Sequence, residues 1–443
     1  MPRRFIVTFF LFLAILSCGC GGGGGNDGSG TNPISPTPIQ PAQDTGDLVR
    51  SNLQRQTHPN VQASELSELA NDEQNFSLNI FSILSKNSGN LFFSPFSIWQ
   101  ALGMARAGAI GETARQMDSA LQFTLSPDRL HAACNALDLA LASRGSGSTG
   151  FIFRIANSLW CQKGLTFLSS FLDTLALNYD AGVHILDFAK DPEIARVAIN
   201  AWVASMTEQK ITELLAPGMT EILRSTQLVL TNAVYFKADW LHKFEKSLTA
   251  SASFICADGP SVGVSMMNQT GAFSYSQGDL WQAVELPYDG NNVSLVLILP
   301  ATGTEQAFSA SLNSAKWQSI IGTLTSKAVR IRLPKFKFSA ELTLADTLKA
   351  LGMQIPFTDA ADFSGITSFA KLCISDVIHQ AFISVYEDGT EAAAATAIVI
   401  IGTAAPAQDY TLVEFNRPFL FFIRDRVTGT ILFLGRVDNP ASK

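Results

Sequence analysis

The stretch Glu387-Asp388-Gly389-Thr390-Glu391-Ala392-Ala393-Ala394-Ala395-Thr396-Ala397-Ile398-Val399-Ile400-Ile401-Gly402-Thr403-Ala404-Ala405 carries no charge after Glu391. Its first half is small and its second half β-branched. The alanines permit helix, whereas Ile398 to Ile401 prefers strand. It follows an apolar strand pattern, Leu372 to Glu387, and is bounded by Gly389 and Pro406. As a surface loop it would be a hazard, because uncharged β-branched runs pair readily with other strands. Read as a strand in waiting it makes sense: small side chains slide between two existing strands, and β-branched ones then hold the inserted position. A permanently buried strand or an Ala-rich helix fits the segment equally well when it is taken alone.

Working outward, residues 64–440 alternate helical and extended patterns with no linker and no internal repeat, which predicts one large α+β domain. Leu66, Leu69, Phe76, Ile80, Phe81 and Leu84 recur at helical spacing. Ser94-Pro95 predicts a helix start with Ser94 as cap, and Asp191-Pro192 repeats the signal. Further helices are expected near 111–122, 127–143, 168–178, 314–322 and 341–351. Strands are expected at 228–236, 293–299, 328–338, 372–387, 420–423 and 430–437. Two polar residues interrupt apolar strands, Asn232 and His379, and a buried polar group needs a partner. The expectation is a satisfied core network rather than catalysis.

Several patterns that suggest chemistry fail on context. Gly145 to Gly150 matches GxGxxG, but a strand pattern follows where a phosphate cradle needs a helix. Gly259-Pro260-Ser261-Val262-Gly263 matches GxSxG, yet it reads as a hairpin turn into an extended run instead of a nucleophile elbow. The five histidines include no HExxH. Cys134, Cys161, Cys256 and Cys373 are scattered without CxxC spacing, so free buried thiols are expected and no metal or cofactor is. The net charge of −7 argues against nucleic acid as a partner.

The first 63 residues read differently. Pro2-Arg3-Arg4 precedes an apolar run from Phe5 to Leu16, too short to span a bilayer as a mature helix, which fits an export signal. Ile15-Leu16-Ser17-Cys18 resembles a bacterial lipobox, so residues 1–18 are expected to be a lipoprotein signal with Cys18 acylated; Cys20 is the second candidate. Gly19 after Cys18 favours the outer membrane over the inner one. Residues 19–63, with five consecutive glycines and then Pro33, Pro36, Pro38 and Pro41, are expected to be a disordered tether. As a flexible coil, about 40 residues would reach roughly 35 Å. The folded body, 64–443, would then sit off a cell-envelope membrane or be released from it.

The ordered motifs around the opening stretch select among its readings. Asn90-Leu91-Phe92-Phe93-Ser94-Pro95-Phe96-Ser97-Ile98, Asn232-Ala233-Val234-Tyr235-Phe236-Lys237-Ala238-Asp239-Trp240, Leu333-Pro334-Lys335-Phe336, Val377-Ile378-His379-Gln380-Ala381, Glu387 to Ala393 and Phe415-Asn416-Arg417-Pro418-Phe419 resemble, in order, the motifs of the serpin family. The resemblance covers about residues 65–440. It implies three sheets, about nine helices and an exposed reactive loop that a target serine protease attacks, after which the loop inserts into the central sheet and the protease is trapped. By the same resemblance, Glu387, Gly389, Thr390, Glu391, Ala392, Ala393, Ala394, Ala395 and Thr396 are the hinge. Ser94, Ser97, Asn232 and His379 form a polar shutter where the sheet parts. Trp240, Lys335 and Glu387 form the breach where insertion starts, with a Lys335–Glu387 ion pair holding the loop out. Family spacing, about sixteen residues beyond the hinge glutamate, gives Thr403-Ala404 as the reactive bond. Small flanking residues suit elastase-like or subtilisin-like proteases, and the protein is expected to be a monomeric inhibitor and not an enzyme. A serpin fold that binds without inhibiting is the alternative.

Overall fold

The computed structural model describes residues 46–145, 151–224, 226–390 and 409–442. The strands are β1 (Asp47–Val49), β2 (Leu91–Phe93), β3 (Ile152–Gln162), β4 (Val183–Leu186), β5 (Leu228–Asp239), β6 (Ala250–Ile255), β7 (Ser261–Gly278), β8 (Trp281–Pro287), β9 (Val293–Pro300), β10 (Thr325–Pro334), β11 (Phe336–Thr343), β12 (Asp376–Val385), β13 (Gly389–Thr390), β14 (Thr411–Glu414), β15 (Phe419–Asp425) and β16 (Ile431–Val437). The helices are α1 (Ala63–Leu84), α2 (Pro95–Arg106), α3 (Gly111–Leu121), α4 (Pro127–Ala142), α5 (Ser169–Tyr179), α6 (Pro192–Met206), α7 (Thr220–Arg224), α8 (Glu305–Ser311), α9 (Ser314–Gly322) and α10 (Ala345–Ala350).

The central sheet runs β1-β4-β3-β5-β13-β12-β11. Along β5, side chains alternate between faces. Leu228, Leu230, Val234 and Phe236 join the main core. Val229 and Ala233 instead pack with Trp160 and Ile378 against α6, through Ala195, Ala198, Ile199 and Val203. Asn232 shares the parity of the first set and so faces the main core, toward α2. The sheet is thus covered on both sides, which is why β5 reads as an almost unbroken apolar run.

A second network runs β14-β10-β7-β8-β9-β15-β16-β2, with β6 paired to β7. The three sheets implied by the resemblance become two hydrogen-bonded networks here, because the 18-residue strand β7 is shared. Its start pairs with β6 and its end with β8. The α+β class is as expected.

Most helix starts follow their local signals. Ser94 caps α2 by accepting from the Ser97 amide, with Pro95 at the first helical position. Some boundaries differ from the sequence reading. The expected strand 328–338 is two strands, β10 and β11, which belong to different sheets and break at Lys335. Pro334, which has no amide hydrogen to donate, ends β10, and the Lys335 amide turns to the Ser265 carbonyl at 2.9 Å. The expected helix 341–351 begins only at Ala345, since β11 extends to Thr343.

The expected tether also ends earlier than residue 63. Asp47–Val49 pairs antiparallel with β4 at the edge of the central sheet. The Gln56 amide donates to the Leu177 carbonyl at 2.9 Å, and Arg55 donates through Nε to Asn135 Oδ1 at 2.8 Å. An edge strand offers unpaired backbone groups, and this segment satisfies some of them.

Among the described residues, no helix is long and apolar enough to cross a membrane. Cys134, Cys161 and Cys256 are buried free thiols, and Cys373 is half-buried and also free. Gly259 lies in a turn between β6 and β7, with Ile255 opposite Ser261, so the GxSxG match opens a strand and no helix follows it.

Candidate functional site

The site lies along the seam between β5 and β12. At its lower part the two strands pair directly and in parallel, from Asp376 opposite Val229 to Ala381 opposite Val234. This register puts His379 opposite Asn232, and antiparallel pairing of β3 puts Asn157 opposite Asn232. Three polar side chains from three adjacent strands therefore meet beneath the start of α2.

Their bonding is complete. Ser97 Oγ donates to Asn232 Oδ1 at 2.8 Å, and Asn157 Nδ2 donates to the Ser97 carbonyl at 3.0 Å. Asn232 Nδ2 donates to Asn157 Oδ1. Ser94 Oγ donates to the Leu432 carbonyl at 2.7 Å. His379 Nε2 accepts from the Ser94 amide at 3.1 Å, while Nδ1 faces Asn232 Oδ1. Since an amide can only donate to Nε2, the proton sits on Nδ1 and the ring is neutral. Burial agrees, pushing the imidazole down to about 3. The structure brings Ser94, Ser97, Asn232 and His379 together and adds Asn157. The sequence reading missed Asn157, although it carries the same signal as Asn232: an amide inside a strand.

At the upper end the strands have parted. Gly389 and Thr390 form β13, with Gly389 opposite Asp239, Thr390 opposite Ala238 on β5 and Thr390 opposite Val385 on β12. The turn closes through the Tyr386 amide donating to the Gly389 carbonyl at 2.9 Å. A Cβ on Gly389 would lie 2.2 Å from the Ala238 carbonyl oxygen, so only glycine fits there. Thr390 is 1% exposed, and its hydroxyl lies 2.7 Å from the Tyr288 hydroxyl.

Trp240 closes this end. Its Nε1 donates to the Tyr386 carbonyl at 2.9 Å, and its backbone amide to the Asp388 carbonyl at 3.0 Å. Its ring stacks on Tyr288 at 4.6 Å between centroids. Lys335 Nζ is 2.7 Å from Glu387 Oε1, and Thr249 Oγ1 donates to the same oxygen at 2.8 Å. Burial alone would raise the Glu387 carboxyl; the Lys335 ammonium and Thr249 hydroxyl outweigh it and hold the group below its ordinary value. Lys246 Nζ pairs with Asp388 at 2.8 Å. Trp240, Lys335 and Glu387 thus converge around the turn that leads into β13. Tyr288 and Thr249 had no local sequence signal, since they arrive from other parts of the fold.

Of the remaining expected site residues, Glu391 to Thr396, Thr403 and Ala404, and also Cys18, lie outside the described residues. No group of acidic, His or Cys side chains among the described residues is arranged to hold a metal ion.

A central sheet parted at one end by Gly389 and Thr390, and closed lower down by a buried polar cluster, is the frame of the serpin fold. The family model for serpins (serine protease inhibitors) matches residues 71–440, and the chain belongs to that family. A serpin-like protein of Thermococcus kodakarensis is 40% identical over 374 residues, covering 84% of this chain and 86% of that one. The leukocyte elastase inhibitor of Homo sapiens is 37% identical over 390 residues, covering 85% of this chain and all of the relative. The native-state structure of tengpin, a thermophilic serpin, superposes with a TM-score of 0.76 at 29% identity, over 88% of this chain and 97% of that one.

Proposed function

We propose that the protein is a suicide-type inhibitor of serine endopeptidases, and by the same acyl chemistry of cysteine ones, with Thr403-Ala404 as bait. The nucleophile of the peptidase adds to the Thr403 carbonyl. The bond to Ala404 breaks, the amine leaves with a proton from the peptidase, and an ester joins Thr403 to the enzyme. The freed segment then enters the central sheet between β5 and β12, starting at Thr390 and followed by the alanines, and carries the acylated peptidase with it. The peptidase is held because water no longer reaches a correctly arranged ester.

The observation that carries this reading is the buried Thr390, paired on both sides at the upper end of a seam whose lower half is still closed. After Glu391 come Ala392 to Ala395, the small residues that insertion requires. The small residues at the bond, and a leukocyte elastase inhibitor among the relatives, favour an elastase-like or subtilisin-like target. The inhibitor acts as a monomer. Export and acylation at Cys18 would hold it at a cell-envelope membrane through residues 19–45.

The test is incubation with an elastase-like peptidase. An SDS-stable covalent complex is expected, with release of a C-terminal fragment beginning at Ala404. Complete turnover of the chain with no complex would favour a serpin fold that binds without inhibiting.

A further inference from the structure

β14 is the first described strand after residue 390. It lies parallel to β10, with Arg330 opposite Leu412 and Arg332 opposite Glu414. On its other side β10 pairs with β7, placing Thr270 opposite Arg330 and Asn268 opposite Arg332. Across these three strands Asn268, Arg330, Arg332, Tyr410 and Leu412 line a shallow groove of about 520 Å³.

The groove is apolar and cationic at once. Tyr410 is 40% exposed and Leu412 49%. Leu248, whose carbonyl accepts from Asn268 Nδ2 at 2.8 Å, is 55% exposed beside it. Arg332 is already paired with Glu414. The Arg330 side chain is exposed, and its guanidinium makes no ion pair or hydrogen bond among the described residues. An exposed Leu412 opposite a guanidinium with no carboxylate partner has no role in holding these strands together.

Chain length fixes what must come near it. Tyr410 follows Ala404 by about six residues, which span at most roughly 21 Å when fully extended. A peptidase of about 230 residues has a radius of gyration near ~17 Å. Engaging the Thr403-Ala404 bond therefore brings the leaving-group side of its cleft within reach of β14 and β10.

We propose that this groove is a docking surface for the target peptidase, which presents a carboxylate flanked by apolar side chains on the leaving-group rim of its cleft. The occupant's identity rests on the inhibitory reading. Insertion removes the acylated peptidase from this surface, so the contact exists only before the bond is cut. It sets how fast the loop is attacked and leaves unchanged how attacked molecules divide between complex and cleaved chain.

The test uses the full chain and a subtilisin-like peptidase with carboxylates beside its cleft. The readout is the second-order rate of loop attack, counting complex and cleaved chain together. Arg330→Glu is expected to slow attack about 5- to 10-fold at low salt, with the difference shrinking toward 0.5 M as charges are screened. Arg330→Lys should stay near wild type, Leu412→Ser should slow attack at every salt concentration, and the ratio of complex to cleaved chain should not move. Equal attack rates for wild type and Arg330→Glu at low salt would overturn the docking surface. Slower attack by Arg330→Glu with no covalent complex from either protein would uphold the surface and reject the inhibitory reading instead.

Discussion

His379 has one hydrogen-bonding arrangement available in the closed seam. Its Nε2 must accept from the Ser94 amide, so adding a proton there sets two donors against each other. The ring is held neutral with its protonation point pushed down to about 3 by burial, against an ordinary value of 6.5. Between those limits the unfolded chain binds a proton that the folded chain does not. The stability contributed by the neutral ring is therefore complete above about 6.5 and is lost as pH falls toward 3. Glu73, buried in α1 and raised to about 8 by desolvation, works in the opposite sense, so a comparison with a variant is needed. On moving from pH 7 to pH 4.5, wild type should lose about 2 kcal/mol more unfolding free energy than His379→Gln, at about 1.4 kcal/mol per pH unit. Denaturant titration at both pH values measures it, and parallel losses in the two proteins would remove His379 from the seam's acid response.

At the scale of an element, the described part of the proposed hinge ends in a two-residue strand with two different constraints. Gly389 is needed because a side chain there would strike the Ala238 carbonyl, and Thr390 because its site is closed and has one polar partner, Tyr288. Thr390→Arg would ask for a guanidinium in a space that excludes water, at several kcal/mol. The upper strand should then leave the sheet, insertion should lose its starting point, and the variant should be cleaved as a substrate. The measure is moles of inhibitor consumed per mole of peptidase blocked, expected to rise at least about tenfold on that cost; an unchanged value would contradict the hinge assignment.

These elements also mark the limits of what the sequence discloses. Small residues after Gly389, a Ser-Pro cap and polar residues within apolar strands were all visible, because each breaks a local pattern. Tyr288 and Thr249 were not visible, because they reach the hinge through contacts between distant parts of the fold. The break at Lys335 was hidden by an unbroken strand-like pattern on both sides. Asp47–Val49 looked like tether because its three residues have no periodicity; the partner that makes them a strand is the edge of β4, more than 130 residues away.

For the whole molecule, the seam describes an unfinished sheet. Above, β13 already separates β5 from β12; below, those strands pair with each other across the polar cluster. Completing the sheet would add backbone hydrogen bonds along both β5 and β12 and bury the segment after Thr390. On the proposed mechanism the uncut chain is kept from this because the segment is tied to β14 as well as to β13. The native form is, on that mechanism, held by a barrier rather than by being the most stable arrangement. On the same mechanism, cutting the chain anywhere between 397 and 408 would release one anchor.

Thermal unfolding of the intact chain and of chain cut once in that interval, compared in the same buffer, tests this claim most directly. The account predicts that the cut chain unfolds at a markedly higher temperature than the intact one, because the loop has become a strand. Equal or lower thermal stability after the cut would contradict it.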